Sequence, residues 1–145
     1  MPSLTRMINV ISRCATIFRA SQLKDTELSG AHHVYIMTLC RNPGMSQDQI
    51  AKRIYINKSN VTRHLNQLEK NGFVERKQSE TDKRVSLVYP TQKAYDILPR
   101  VTEIARSWKA YLTEDFTDEE IEQLNSMLER ITKRATDAVN KEFED

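Results

Sequence analysis

Apolar residues recur at helical spacing over most of the chain, and alternate only in two short stretches on either side of residue 80. The periodicity predicts helices over about residues 4–23, over about 30–41 after a capping Ser29, and over about 47–54. A longer helix with two apolar rows follows over about 92–113, and a last helix extends from Thr117 into the tail. Since only three glycines and four prolines interrupt these patterns, we predict a mostly helical fold.

One more helix is predicted between Asn57 and Gly72, and both of its ends carry signals. Asn57 is a favoured N-cap, and Gly72 stands where a left-handed residue often ends a helix. One narrow stripe is apolar: Val61, Leu65 and Leu68. The opposite face is interpreted as polar and free of carboxylates, with Ser59, Thr62, Arg63, Asn66 and Lys70, and with Asn60 and Gln67 beside them. A solvated surface helix would explain this face equally well, so its neighbours decide.

The short helix before it supplies the first half of a helix-turn-helix. Ser46 and Gln49 have the spacing of a capping box at its start. Tyr55 and Ile56 then form the turn, so that two short capped helices are joined by about three residues. This turn lacks the glycine that is often found there.

The chain after Gly72 changes from a helical period to alternation, which predicts strands over residues 73–77 and 85–89. The polar loop over residues 78–84 has the charged sequence Asp82-Lys83-Arg84 at its tip. A β-hairpin directly after such a helix is a wing, and its long loop suits a finger that extends from the body.

Charge is unevenly distributed along the chain. Residues 41–90 hold ten Lys/Arg against five Asp/Glu, whereas residues 113–145 hold four against eleven. A basic middle segment is expected where a protein meets a polyanion, so the net charge of +2 does not argue against nucleic acid. We find no apolar run that could span a membrane and no signal peptide, and therefore expect a reduced, cytoplasmic protein of one domain.

The chain resembles the MarR family of bacterial winged helix-turn-helix transcription regulators over essentially its whole length. The most specific segments are SNVTRHLNQLEKNGFVERK and TDKRVSLVYPT. The resemblance implies a homodimer with this helix in the major groove and the wing arginine in the adjoining minor groove. Arg84 matches the inserted arginine and Asp82 the acid that orients it. It also implies an effector crevice beside the second helix, where His33 and Met37 are the candidates.

We therefore expect a mainly α fold of about six helices with a two- to three-stranded antiparallel sheet, as a single domain over residues 1–145. It would combine a winged helix-turn-helix over about 28–91 with a dimerisation lobe from helices about 4–23 and 92–143. The expected function is sequence-specific transcription regulation, most often repression, by a homodimer on a pseudo-palindrome of double-stranded DNA. The predicted DNA-binding residues are Gln47, Lys58, Ser59, Asn60, Thr62, Arg63, Asn66, Arg76, Lys77, Asp82, Lys83 and Arg84.

Other chemistry has little support in the sequence. There is no phosphate-binding glycine loop, nucleophile motif or metal-ligand spacing, so we expect no enzyme, no catalytic residue, no metal and no cofactor. His32 and His33 are adjacent and cannot share a helix face as ligands, which favours a structural histidine. Two alternatives remain open: a protein-interaction module with mixed charge on the polar helix face, and a redox regulator using Cys14 or Cys40, although a buried inert Cys14 is favoured.

Overall fold

The structure, a computed structural model, describes residues 1–144, with side chains up to Lys141. These residues form six helices: α1 (Leu4–Gln22), α2 (His33–Arg41), α3 (Gln47–Ile54), α4 (Lys58–Lys70), α5 (Gln92–Leu112) and α6 (Asp118–Glu144). Three short strands, β1 (Met45–Ser46), β2 (Val74–Gln78) and β3 (Ser86–Pro90), pair as an antiparallel sheet in the order β1-β3-β2. The predicted mainly α fold with a small wing is confirmed. Asp145, the last residue of the predicted domain, lies outside the described residues.

The chain forms two compact units, which divide after Trp108. The core belongs to the first unit, because α2, α3, α4 and the sheet all turn apolar side chains into one cluster. It includes Tyr35, Leu39, Ile50, Val61, Leu65, Leu68, Phe73 and Val88, each at most 1% exposed. The second unit consists mostly of α6, which begins after Thr117 as predicted. A capping box forms this start: Thr117 and Glu120 exchange two hydrogen bonds of 3.1 Å.

Asn71, Gly72 and Phe73 end α4 in a Schellman motif, in which the N–H of Gly72 donates to Glu69 (3.0 Å) and that of Phe73 to Leu68 (2.9 Å). Gly72 adopts φ +81°, the left-handed conformation expected there. Phe73 is thus part of the helix end rather than of the strand. For this reason β2 begins one residue later than predicted, and β3 is displaced equally.

The predicted start of α2 is wrong, whereas α5 begins at Gln92 as predicted but without a cap from the Thr91 side chain. Helix α2 begins at His33 and not after Ser29, because residues 29–32 form a turn that is closed by a hydrogen bond from His32 N–H to the Ser29 carbonyl (3.2 Å). Thr91 precedes α5, but its hydroxyl donates to the carbonyl of Gly72 (2.6 Å) instead of capping the new helix. Thr91 therefore connects the start of α5 to the end of α4.

Candidate nucleic-acid interface

Helix α4 starts with the predicted cap. The Asn57 side-chain oxygen accepts from the backbone N–H of Asn60 and from the hydroxyl of Ser59, both at 2.9 Å. Ser59 has therefore used its only hydrogen within the protein and presents an acceptor oxygen to the outside. The cap thereby fixes both the start of the helix and the chemistry of its first exposed side chain.

The turn between α3 and α4 does without glycine because Tyr55 itself adopts the left-handed conformation, with φ 57° and ψ 42°. The capping box predicted at Ser46 and Gln49 is present at the start of α3. The two short helices are thus joined as a helix-turn-helix, and the one unusual backbone conformation falls on an exposed aromatic residue.

The outer face of α4 is open to solvent over its first three turns. The exposed side chains are Lys58, Ser59, Thr62, Arg63 and Asn66, and Asn60 beside them is half-buried. Arg63 donates to the Asn60 side-chain oxygen at 3.2 Å, which directs the guanidinium along the N-terminal half of the face. This half carries no carboxylate, and its groups are those that bind base edges and phosphates.

The expectation that the whole outer face lacks carboxylates is wrong. Glu69 lies seven residues after Thr62 and therefore on almost the same side of the helix, and it is exposed. Its carboxylate is 3.6 Å from Nε of Arg76 on β2. The helical period alone places Glu69 on this face, so the sequence was sufficient to predict its position.

Arg76 also differs from the exposed phosphate contact that was predicted. Only 18% of its side chain is exposed. Its guanidinium donates to Oε1 of Gln47 at 2.9 Å and to the side-chain oxygen of Asn66. The Gln47 amide in turn donates to the Thr62 hydroxyl at 3.2 Å. Two predicted DNA-binding residues, Gln47 and Asn66, thus contact one partly buried arginine, and Thr62 is linked to it through Gln47.

The wing tip presents a second arginine in a different setting. Arg84 donates its backbone N–H and its Nε to Oδ1 of Asp82 at 3.1 and 3.2 Å, and Nη2 to Oδ2 at 3.3 Å. The Arg84 side chain is nevertheless 90% exposed. These hydrogen bonds, with that from the guanidinium the largest cause, lower the pKa of Asp82 below its usual range. Asp82 therefore stays ionised and fixes the arginine in an outward position.

The predicted lysine contacts are all exposed, but only some lack an ion pair. Lys58 lies 3.3 Å from Asp48, and Lys77 lies 3.8 Å from Glu75 and over the Tyr89 ring. Lys83 stands exposed beside the wing arginine. Exposed ion pairs of this kind contribute little and exchange readily for another anion.

Two histidines, His32 before α2 and His64 on α4, make contacts at α4. His32 is 2% exposed; its Nδ1 accepts from the Ser29 N–H (3.0 Å), so in the neutral ring Nε2 donates to Oε1 of Gln67 (3.1 Å). His64 on α4 meets His32 edge to face. Burial is the main cause that lowers the pKa of both rings. The prediction of a satisfied structural histidine is thus confirmed at His32, and the link to Gln67 was not foreseen.

The remaining candidates give no assembled site. His33 and Met37 are half-buried on α2. Burial, and after it the charge of Arg19, lowers the pKa of His33 to about 4. Cys14 is exposed, so the expectation of a buried thiol is wrong, and burial raises the pKa of Cys40.

Over the described residues 1–144, His, Cys, Asp and Glu form no group of three that could hold a metal ion. No helix within the same range is sufficiently long and apolar to cross a membrane.

The fold and the two exposed basic elements define a winged helix-turn-helix protein. The family model that matches the chain is that of the MarR family, over residues 28–86. HTH-type transcriptional regulator YybA of Bacillus subtilis is 26% identical over 133 residues, which are 92% of this chain and 89% of that protein.

Two solved structures are similar over nearly the full length. A SlyA-like transcription regulator from Listeria monocytogenes has 26% identity and a TM-score of 0.91, with 95% of this chain and 92% of that chain covered. A MarR family transcriptional regulator from Listeria monocytogenes, complexed with a 26mer DNA, has 26% identity, the same coverage and a TM-score of 0.87.

The MarR family model thus matches the part of the chain that forms the winged helix-turn-helix, as the resemblance indicated. The family match and the relatives support a DNA-binding transcriptional regulator rather than an enzyme.

Proposed function

We propose that the protein is a cytoplasmic repressor that binds a pseudo-palindromic operator as a homodimer. The observation that carries this proposal is the outward arginine at the wing tip, 90% exposed and held by an ionised Asp82. Arginine in this setting suits a narrow minor groove, where the negative potential is enhanced. The exposed face of α4 offers the hydrogen-bonding groups that the neighbouring major groove requires.

The proposed contacts divide between affinity and specificity. Lys58, Arg63, Lys77 and Lys83 would neutralise phosphates and give a salt-dependent affinity. Specificity would come from base contacts by side chains at the outer face of α4: Ser59, Asn60, Thr62, Arg63 and Asn66. Two copies of α4 would enter successive major grooves about 34 Å apart. The 26mer DNA bound by the Listeria regulator supports a duplex as the ligand.

Exposed apolar side chains support the homodimer. On α1 these are Leu4, Met7, Ile8, Val10, Ile11 and Ile17, and α6 separately exposes Met127, Leu128 and Val139. Soluble monomers seldom leave so many large apolar side chains uncovered, so we propose that α1 and α6 belong to the dimerisation lobe. Sedimentation equilibrium tests this: a dimer is expected at micromolar concentration, and a monomer at all concentrations would contradict it.

A small-molecule effector is the least supported part of the proposal. It would bind beside His33 and Met37 and change the affinity for DNA by a coupling free energy of about 1–3 kcal/mol. The protein-interaction alternative predicted mixed charge on the outer face of α4. Glu69 is the only acid found there within the described part of the helix, and it is paired with Arg76. The N-terminal half of the face, where most of the proposed DNA contacts lie, carries no acid, and this favours DNA binding over the alternative.

Footprinting on the DNA directly upstream of the protein's own coding region tests the central proposal. We expect a protected pseudo-palindrome whose binding weakens steeply between 50 and 200 mM salt, as about six or more phosphate contacts would require. A reporter gene behind the protected site should be less active when the protein is present. Absence of protection, or an affinity that does not depend on salt, would contradict DNA binding by this surface.

A further inference from the structure

Arg76 occupies a central place among groups that were expected to contact DNA individually. Its guanidinium donates to Gln47 on α3 and to Asn66 on α4, and it lies beside the carboxylate of Glu69. The strand that carries it, β2, is one arm of the wing. A single side chain thus links α3, α4 and the wing.

The partners of Arg76 leave little of its charge for DNA. The carboxylate of Glu69 is 3.6 Å from Nε, and only 18% of the arginine side chain reaches solvent. A phosphate contact needs an exposed cation with free N–H groups, such as the 90% exposed Arg84 provides. Arg76 therefore does not have the environment of a phosphate contact.

The arginine instead determines the orientation of two amides. A guanidinium can only donate, so the atoms that face it must be the oxygens of Gln47 and Asn66. The Asn66 NH₂ group consequently points away from Arg76, on the exposed face of α4. An unrestrained amide could turn over and offer its oxygen, and would then accept a different base.

The same constraint extends to Thr62. Because the Gln47 oxygen faces Arg76, its NH₂ donates to the Thr62 hydroxyl at 3.2 Å, and that hydroxyl donates to the Lys58 carbonyl at 3.0 Å. Thr62 thus has no hydrogen left to donate and offers only an acceptor lone pair and its methyl group. Two neighbouring positions of α4 are given opposite hydrogen-bonding character by one arginine.

We propose that Arg76 is a positioning residue that sets the base preference of Asn66 and Thr62 and makes no phosphate contact itself. Asn66 then presents donors to acceptor groups of the major groove, while Thr62 presents an acceptor and a methyl group. Glu69 keeps Arg76 on the protein side by neutralising it. This inference rests on the proposed DNA-binding function of α4 and adds the origin of its specificity.

Arg76→Lys is the decisive variant, since it keeps the charge but cannot hold two amides in the fork geometry of a guanidinium. The full-length protein is titrated against its footprinted operator and against a scrambled duplex of equal length, from 50 to 200 mM salt. We expect at least a tenfold lower ratio of operator to scrambled affinity, with the salt slope and the scrambled affinity unchanged. Single base substitutions in the operator should then discriminate less at the pairs read by Asn66.

Lys83→Ala is the matched control for a phosphate contact. It should lower both affinities together and reduce the salt slope by about one, while the ratio stays constant. Arg76→Lys behaving like this control would overturn the proposal, and so would an unchanged ratio. If the wild type itself does not prefer the operator, the proposed function fails as well, and that failure is recognised without any variant.

A thermodynamic cycle built from three substitutions separates positioning from general loss of structure. If Arg76 acts through the two amides, adding Arg76→Lys to the combined Gln47→Ala and Asn66→Ala variant should change the affinity ratio less than twofold. A full further loss in that background would contradict positioning. Thermal unfolding of each variant is measured in parallel, and the Arg76→Lys midpoint is expected to stay within a few degrees of the wild type.

Discussion

The wing contains two arginines, each beside an acid, and their surroundings give them different uses. At the tip, Arg84 pairs with Asp82, two residues away on the same loop, and remains 90% exposed. At the base, Arg76 pairs with Glu69 of another element, contacts two amides as well and is 18% exposed. An arginine–carboxylate pair in a binding surface therefore does not identify a DNA contact by itself. Side-chain exposure and the number of additional hydrogen-bond partners distinguish an arginine that is available to a ligand from one that positions neighbouring side chains.

The largest difference between the two arginines is expected for Arg84→Ala. We expect operator affinity to fall about ten- to a hundredfold with the thermal midpoint unchanged, because the exposed side chain is proposed to contact DNA and contacts little of the protein. Arg76→Ala is the matched control. It leaves Glu69 and two amide oxygens without their donor, and should lower the midpoint by roughly 5 °C. An unchanged operator affinity of Arg84→Ala would remove the wing tip from the interface.

Acid should affect the wing tip and the buried histidines beside α2 and α4 differently. The pKa of Asp82 is lowered by Arg84, so the pair at the tip persists as the pH falls. The pKa values of His32, His33 and His64 are lowered mainly by burial, that of His33 to about 4. These rings are neutral in the folded chain but take up protons in the unfolded chain near pH 6.5. The contribution of these neutral histidines to the free energy of unfolding is therefore complete above about pH 6.5, and it decreases between there and about pH 4.

The variant His33→Gln measures how much of this acid-induced loss of stability is due to His33. The difference between the pKa of His33 in the unfolded and in the folded chain sets an upper limit to its contribution to the free energy of unfolding. Partial exposure reduces the expected contribution to about 1–2 kcal/mol. Urea unfolding of wild type and variant at pH 7, 5.5 and 4.5 gives the comparison. The variant should lose less stability across this range. Equal losses in both proteins would show that His33 does not stay neutral in the folded state.

The smallest expected effect distinguishes orientation from contact at the tip. Asp82→Asn keeps an oxygen that can accept from the Arg84 backbone N–H, but it removes the charge that holds the guanidinium. We expect an operator affinity about threefold lower, well short of the Arg84→Ala effect, since the arginine itself remains. Fluorescence anisotropy at fixed salt is precise enough to detect this difference. A loss as large as that of Arg84→Ala would mean that Asp82 does more than orient its neighbour.

Local signals in the sequence were sufficient for most of the fold. Asn57 as a cap, the Ser46 and Gln49 box and the left-handed Gly72 depend on neighbours within a few residues, and all three were predicted correctly. The start of α2 was missed because the Ser29 turn is closed by His32, a side chain whose other nitrogen bonds to Gln67 far along the chain.

The site could be predicted only as a set of exposed residue types. Asp82 and Arg84 are two residues apart, so their pairing was within reach of the sequence. Arg76 meets Gln47 across 29 positions, and nothing in the local pattern indicated that contact. Whether a basic residue is available to a ligand depends on such distant partners, and for this reason the role of Arg76 was not foreseen.

The connection between Asn71–Phe73 and Thr91–Lys93 has a mechanical consequence. Thr91 donates from its hydroxyl to Gly72 and from its N–H to Phe73, and Lys93 donates to the carbonyl of Asn71 at 2.8 Å. The end of α4, the root of the wing and the first turn of α5 are therefore fastened at one joint. If the first turn of α5 is displaced, α4 and the wing must move with it as one body. The distance between α4 and the wing would then be preserved while their orientation changes.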